Sequence, residues 1–495
     1  MNKIKLFFSD RVLKYLVFLL FAIGVLYRVI LWWMNRGMYI DEANLARNIY
    51  ERNFLGLTRP LSYEQFAPPF FLFITKINTI LFGSDEKVFR LFALISGVAA
   101  IFLFVKIARQ FISLKAIWYP LALFATGAIY LRYSTEFKQY SSDAFISLLV
   151  VYTATRLSIN TAKPILFLMV WILLGSLAIW LSMPSVFILA GVGAYYFAEI
   201  IRTKTYKQSY LLIFIVLIWL LQFGYYYFAI LQPQSQSNYL QQFHHWYFLD
   251  AFPESFNAFK SHNGLLLKGL FEAMSGKLLL SLILNIILYI TGVYYTIKAN
   301  RNLLFLLFFP IILTLAASAL KAYSLMDRLM LFYFPLGLLL LGKGLDFFMQ
   351  KVNAVVIKIP VILLCVFTVF KFNKISYLTT KPLNLEAVDD CLDFLLTQNI
   401  TAQNLYIHNL ASGGYVYYTE IHPNKTKWKS LANAHFLNWD ADYTQLLANE
   451  KSAVLTTSMG QDVKEKVWDK IVISNTILAT YDKTDAKAMV FEAKK

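Results

Sequence analysis

KYLVFLLFAIGVLYRVILWWMNRGMYIDEANLARNIY, residues 14–50, decides the fold. Its opening apolar run, Lys14 to about Trp33, is as long as a bilayer core is thick. Within ten residues of its end stand two adjacent carboxylates, Asp41 and Glu42. The run carries no small-residue cleavage site, so it reads as a retained helix and not as a removed signal peptide. A chain that crosses a membrane and at once places a pair of acids beside it invites a functional reading of that pair.

Apolar runs of spanning length recur through the first three-quarters of the 495 residues. The chain is 58% hydrophobic and 15% charged, with a mean hydropathy of +0.54. Soluble domains carry about 25% charged residues. Composition therefore predicts a polytopic α-helical membrane protein. The net charge of +17 suggests nucleic acid at first sight. The cations, however, fall in loops where they set membrane orientation, so no nucleic-acid partner is implied. Two cysteines, Cys365 in an apolar run and Cys391 outside it, imply no disulfide framework.

Spans are predicted near 14–35, 88–109, 114–133, 143–160, 164–181, 185–201, 208–231, 277–298, 302–320, 329–346 and 357–374, about eleven in all. With a cytoplasmic N-terminus, every inner loop is basic: Lys106, Arg109 and Lys115; Arg156 and Lys163; Arg202, Lys204 and Lys207; Lys298 and Arg301; Lys343, Lys351 and Lys358. The apolar segment 68–83 covers about 24 Å as a helix, short of the core, and reads as lying at the outer interface. The expected outer loops are 36–87, 132–142, 232–276 and 321–328. They belong to a transmembrane domain, 1–378, in a plasma (inner) membrane.

The tail, 379–495, changes character. NLYIHN (404–409), SAVLTTS (452–458), TILATYD (476–482) and KAMVFEA (487–493) read as short strands, and 384–397 and 461–470 as helices. This predicts a small soluble α/β domain on the outer, periplasmic side. GGYVYY (413–418) reads as a turn leading into a helix, not a nucleotide loop. No internal repeat is evident.

The unusual polar residues gather on the outer face. Asp41 has an ordinary use as the cap of helix EANLARNIYER, whose Ala43, Leu45, Ala46 and Ile49 form an apolar stripe. Capping needs no Glu42. In STEFKQYSSDAF, Glu136, Tyr140 and Asp143 share a face if the segment is helical, with Lys138 pointing elsewhere or lying in the turn before; the plain alternative is a helix entry capped by Ser142 or Asp143. In KAYSLMDR, Lys321 and Arg328 flank a turn where positive-inside predicts few cations. They read either as headgroup anchors or as a phosphate clamp, with Asp327 orienting the guanidinium. His244 and His245, in LQQFHHWYFLDAFPE, are weak metal ligands because neighbours point apart; interfacial packing beside Trp246 and Tyr247 is the plainer reading. Glu64 in YEQFAPP is a ligand or a solvated loop acid. A carboxylate that takes a proton from an acceptor hydroxyl, and a cation that offsets charge on a departing phosphate, together fit glycosyl transfer from a polyprenyl-phosphate sugar.

On these residues the chain resembles the membrane-embedded GT-C glycosyltransferases, in the branch of protein O-mannosyltransferases and lipid A aminoarabinose transferases. The motifs are YIDEANLARNIY (39–50), APP (67–69), LFGSDEKVFRLFALISG (81–97), RYSTEFKQYSSD (132–143) and KAYSLMDRLMLFYFP (321–335), and the likeness covers most of the chain. The resemblance implies Asp41 as general base and Glu42 orienting the acceptor. It implies Glu136 and Asp143 near a sugar, Lys138 and Arg328 near the phosphate, and an inverting mechanism. It also implies a divalent metal held by Glu64 with His244 or His245; the residues themselves call for no certain cofactor. The donor partner is a polyprenyl-phosphate sugar in the lipid phase, and the acceptor is a lipid, glycan or protein. Lys138 departs from the Arg that relatives often carry; it keeps the charge and loses the fork. Two other classes compete: a transporter or flippase of a lipid-linked glycan, and a noncatalytic membrane scaffold. Charges at one face and the lack of repeated halves count against the first. The second leaves Asp41, Glu136 and Arg328 without a task.

Overall fold

The computed structural model describes residues 10–373, 385–437, 451–457, 468–483 and 485–494. Its main helices, in chain order, are α1 (Asp10–Trp33), α2 (Ile40–Glu51), α3 (Pro69–Phe82), α4 (Glu86–Phe111), α5 (Leu114–Thr126) and α6 (Ala128–Tyr133). Then come α7 (Tyr140–Arg156), α8 (Pro164–Leu181), α9 (Ser185–Thr203), α10 (Ser209–Tyr226), α11 (Leu265–Ser275) and α12 (Leu279–Asn300). The series closes with α13 (Phe309–Ala319), α14 (Phe334–Lys351), α15 (Val355–Phe372), α16 (Val388–Thr397) and α17 (Ser412–Val416). A helix stands at each of the predicted spans. Among the described residues seven helical stretches are long and apolar enough to cross a membrane, and α3, α5 and α13 are shorter apolar helices.

Contacts divide the chain into two compact units: residues 10–32, 67–71 and 90–373, and residues 33–66 and 72–89 with the described residues from 385 onward. In the first unit, the predicted span 114–133 proves to be two helices. Gly127 stands between α5 and α6 in extended backbone (φ −70°, ψ 140°) and bridges to Asn373. A Cβ there would lie 2.3 Å from the Phe372 ring, so only glycine lets the chain pass. The break leaves α5 with carbonyls that the next turn does not satisfy. Arg28, buried inside α1, supplies the donors: Nη1 reaches the Ala125 carbonyl at 3.1 Å and Nη2 the Phe124 carbonyl at 3.1 Å, while Nη1 also bonds its own helix at Gly24. An arginine in a hydrophobic span is costly, and here its charge complements the negative end of α5. Elsewhere α12 and α14 meet through Gly292 and Gly344. A Cβ on either would lie 1.8 Å from a carbonyl oxygen of the other helix, the small-residue contact that lets membrane helices approach closely.

The second unit contains a five-stranded sheet in the order β2-β1-β3-β5-β4. Its strands are β1 (Leu405–His408), β2 (His435–Leu437), β3 (Ser452–Thr457), β4 (Asn475–Lys483) and β5 (Ala486–Ala493). β1 runs parallel to β2 and β3, while β5 is antiparallel to β3 and β4. β3 is buried along its whole length, as a central apolar strand must be. Three residues of β2 at an edge carry too short a pattern to read from sequence. The predicted helix 384–397 starts later, at Val388; 461–467 of the other predicted helix lies outside the described residues. GGYVYY is itself helical, α17 running into a wider turn over Tyr417–Ile421. The sheet core of Leu410, Val454, Ile471, Met489 and Phe491 receives Ile40, the first residue of α2. One apolar anchor thus fixes the residue immediately before Asp41.

Candidate functional site

In the second unit, the turn around Asp41 is built from its neighbours. Tyr39 is the extended N-cap residue of α2 (φ −74°, ψ 151°), and the side chain that reaches back to its N–H is Glu42, at 3.3 Å. The expectation that Asp41 caps this helix is therefore corrected. Glu42, fully buried and 3.6 Å from Arg36, does the capping, because the third helical position has the reach and the second does not. Asp41 is half-buried in the positive first turn and accepts a 3.4 Å hydrogen bond from Gln65 Nε2.

The C-terminal segment holds the backbone of the same turn. Tyr418 OH accepts from the Met38 N–H at 3.0 Å, and Glu386 Oε2 accepts from the Ile40 N–H at 2.9 Å. Burial pushes the Glu386 carboxyl up to about 8, with Asp41, Asp485 and Glu42 adding to the rise against the opposing Ile40 bond. Glu386 is thus held toward its neutral form beside Asp41 and Glu42.

α2 also holds the loop that follows it. Asn48 binds both the carbonyl and the N–H of Ser62, Arg52 Nη1 bonds the Pro60 carbonyl, and Arg47 lies over the Tyr63 ring at 3.8 Å. Tyr63 and Glu64 both take left-handed backbone (φ 63° and 54°), and the bend turns Gln65 inward while Glu64 stays exposed.

In the first unit, residues 134–139 form a buried turn between α6 and α7. The expected helix face of Glu136, Tyr140 and Asp143 is corrected: α7 begins at Tyr140, so only Tyr140 and Asp143 share it. Glu136 is held from the preceding helix by Arg132, Nε to Oε2 at 2.8 Å. Lys138, expected to point elsewhere or to lie in the turn before, lies in that turn and is buried as well. Asp143 is buried in the first turn of α7, next to Ser182.

Arg328 lies 5.9 Å from the Tyr140 ring centre and 5.9 Å from that of Phe243. Asp327 does not orient its guanidinium; it accepts the Arg328 backbone N–H at 2.7 Å. Loop 240–250 is laid along 318–328 by the Leu325 N–H to the Tyr247 carbonyl and the Leu249 N–H to Ser318 Oγ. That register turns His244 inward, its Nδ1 2.9 Å from Ser324 Oγ, and leaves His245 exposed against Trp246. Burial, and then the Arg328 charge, push His244 down to about 4, so it is neutral at pH 7. Lys321 is exposed on left-handed backbone (φ 57°) and makes no ion pair among the described residues, so it is not brought to this group. Arg328 thus stands by the Tyr140 and Phe243 rings, and Arg132, Glu136, Tyr140 and Arg328 all lie near Tyr133. Such a set suits a phosphate-bearing ligand.

Neither Glu64 nor His244 and His245 belongs to a trio of metal-capable side chains within mutual ligand distance. Among the described residues that trio is Asp85, Glu86 and His422, whose ligand atoms lie within 4.8 Å of one another. His422 Nδ1 accepts the Asn424 N–H at 3.1 Å, so the ring proton sits on Nε2, which faces Glu86 Oε2 at 3.5 Å. Sequence reading missed Arg132, Gln65, Glu386, Tyr418 and His422. Arg132 alone had a local signal, four residues before Glu136.

A bundle of apolar helices, and in the second unit a small five-stranded sheet, make up the fold these observations define. Among solved structures it is similar to ArnT from Cupriavidus metallidurans bound to undecaprenyl phosphate, with a TM-score of 0.57 and 12% identity over 96% of this chain and 97% of that one. It is similar also to the same protein in the apo state, with a TM-score of 0.55 and 12% identity over 95% and 97%. No family model matches the sequence, and no curated protein matches it. At this identity the likeness is one of fold.

Proposed function

We propose that this chain is a glycosyltransferase that takes a sugar from a polyprenyl-phosphate donor and delivers it to an acceptor hydroxyl or phosphate at the outer face of the plasma membrane. The observation that carries the reading is the division of labour at the start of α2. Glu42 caps, Ile40 anchors and Glu386 holds the backbone, so Asp41 is presented by the turn without being needed to build it. The shared fold supports a polyprenyl phosphate, since ArnT has been solved with undecaprenyl phosphate bound.

In the proposed reaction Asp41 takes the acceptor proton as that oxygen attacks the anomeric carbon. The new carbon–oxygen bond forms as the bond to the phosphate oxygen breaks, with inversion, and the lipid phosphate leaves with the electron pair. Arg328 and Lys138 offset the charge on that phosphate. Tyr140 and the Arg132–Glu136 pair shape the pocket around it. Residues 1–378 form the catalytic membrane domain in this reading, and 379–495 lie outside. No step requires a metal.

The test is Asp41→Asn in purified, membrane-inserted enzyme supplied with a labelled undecaprenyl-phosphate sugar. Transfer should fall by about 10²–10⁴, with insertion and thermal stability unchanged. An active Asp41→Asn enzyme, or a wild-type chain that moves the labelled lipid between leaflets without breaking the sugar–phosphate bond, overturns the proposal.

A further inference from the structure

At the opposite end of α7 from Tyr140, the ends of α7, α9 and α12 line a cavity of about 580 Å³ in the first unit. That is within the range of roughly 300–1,000 Å³ usual for small-ligand sites. Arg156, Arg202, Lys298 and Arg301 line it, with Glu199 as the one acid and buried Asn302 at its base. Glu199 is occupied by Arg202, at 2.7 and 2.9 Å, and by Asn302 Nδ2 at 3.4 Å. Arg156, Lys298 and Arg301 have no acid partner among the described residues; Arg156 and Lys298 lie near the Tyr152 and Tyr294 rings.

Cations at helix C-termini have an ordinary use in offsetting the dipole. Three C-termini, at about half a negative charge each, take up roughly half of the surplus of three positive charges here. The rest is unbalanced and lines a concavity. Positive-inside topology calls for basic loops and calls for no cavity. A basic pocket between membrane helices on the face with the basic loops suits an anionic headgroup.

We propose that this cavity binds a phosphate-bearing anion: the headgroup of an anionic phospholipid in the adjoining leaflet, or a soluble phosphate of the same chemistry. The proposal does not rest on the transferase reading.

The experiment is native mass spectrometry of the full-length protein in detergent, titrated with phosphatidylglycerol and, separately, phosphatidylcholine. Phosphatidylglycerol should bind in preference. The triple variant Arg156→Gln, Lys298→Gln, Arg301→Gln should weaken it by at least about tenfold. A control triple outside the cavity, Lys115→Gln, Lys204→Gln, Lys207→Gln, should not. Ala299→Trp, which narrows the cavity and keeps every charge, should also weaken binding; it guards against a charge variant that merely misinserts. Competition by millimolar inorganic phosphate supports the site with a soluble anion as its ligand. Undiminished lipid binding in that arm supports it with the headgroup as ligand. Equal losses in the two triples, or full phosphatidylglycerol binding in Ala299→Trp, would show a diffuse surface field and overturn the proposal.

Discussion

At the scale of single residues, the acids around Asp41 differ in task because they differ in surroundings. Glu386 carries a pH dependence with a definite sign. Its carboxyl titrates at the ordinary 4.5 when unfolded and near about 8 when folded, so between those values the folded chain holds a proton the unfolded chain has lost. Stability therefore falls as pH rises through that window, by about 1.4 kcal/mol per unit of difference. Glu386→Gln keeps an acceptor for the Ile40 N–H and removes the titration. Thermal unfolding at pH 5 and pH 8.5 should show a smaller alkaline loss in Glu386→Gln than in wild type, with transfer activity kept. Arg328 gives a second prediction. Its rings at 5.9 Å and its fork are suited to a phosphate. Arg328→Gln should lower kcat/KM for the donor by about 10²–10³ and Arg328→Lys by less, both without loss of insertion, since removing a donor aimed at developing charge costs a few kcal/mol. Donor-saturation kinetics on the two variants measures this.

At the scale of elements, the decisive features are helix ends. The break at Gly127 exposes carbonyls of α5, and Arg28 of α1 covers them. Arg28→Met leaves those carbonyls unpaired in an apolar interior and should cost about 1.5–3 kcal/mol for each lost charged hydrogen bond, seen as a lower midpoint in detergent melting. Gly344→Ala should separate α12 from α14, because the added Cβ meets a backbone oxygen that has no rotamer to move to. A disulfide scan across that helix pair would register the shift. α2 shows the same logic on its polar face: Asn48, Arg47 and Arg52 are spent on loop 56–65, which brings Gln65 to Asp41.

At the scale of the whole molecule, the orientation drawn from the basic loops is open to a direct measurement. Both native cysteines are buried, so labelling background is low. Lys429→Cys, in the exposed C-terminal segment, should react with an impermeant thiol reagent in spheroplasts. Lys204→Cys, in a basic loop, should react only after permeabilisation. The reverse pattern would invert the topology and put Asp41 on the wrong side for a lipid-linked donor at the outer face. Much of this scale was legible beforehand. Hydrophobic runs of about spanning length placed a helix at each expected span, and short β-rich runs marked four of the five strands. The spans 114–133 and 302–320 looked continuous, because apolar composition does not register an extended glycine or a short irregular turn.

The sequence alone determined the class of fold, since apolar length and the side on which lysine and arginine collect are written residue by residue and need no partner. It also singled out Asp41, Glu136, Tyr140 and Arg328, because ionisable groups beside membrane runs stand out against a sparse background. Only the tertiary structure decided that Glu42 and not Asp41 caps α2, that Arg132 holds Glu136, that His244 turns in while His245 turns out, and that Glu386 reaches the N-terminus of α2 from 346 residues away. The physical reason is range. Hydropathy and charge act through composition over a window of neighbours, whereas a hydrogen bond is set by two atoms whose separation along the chain says nothing of their separation in space.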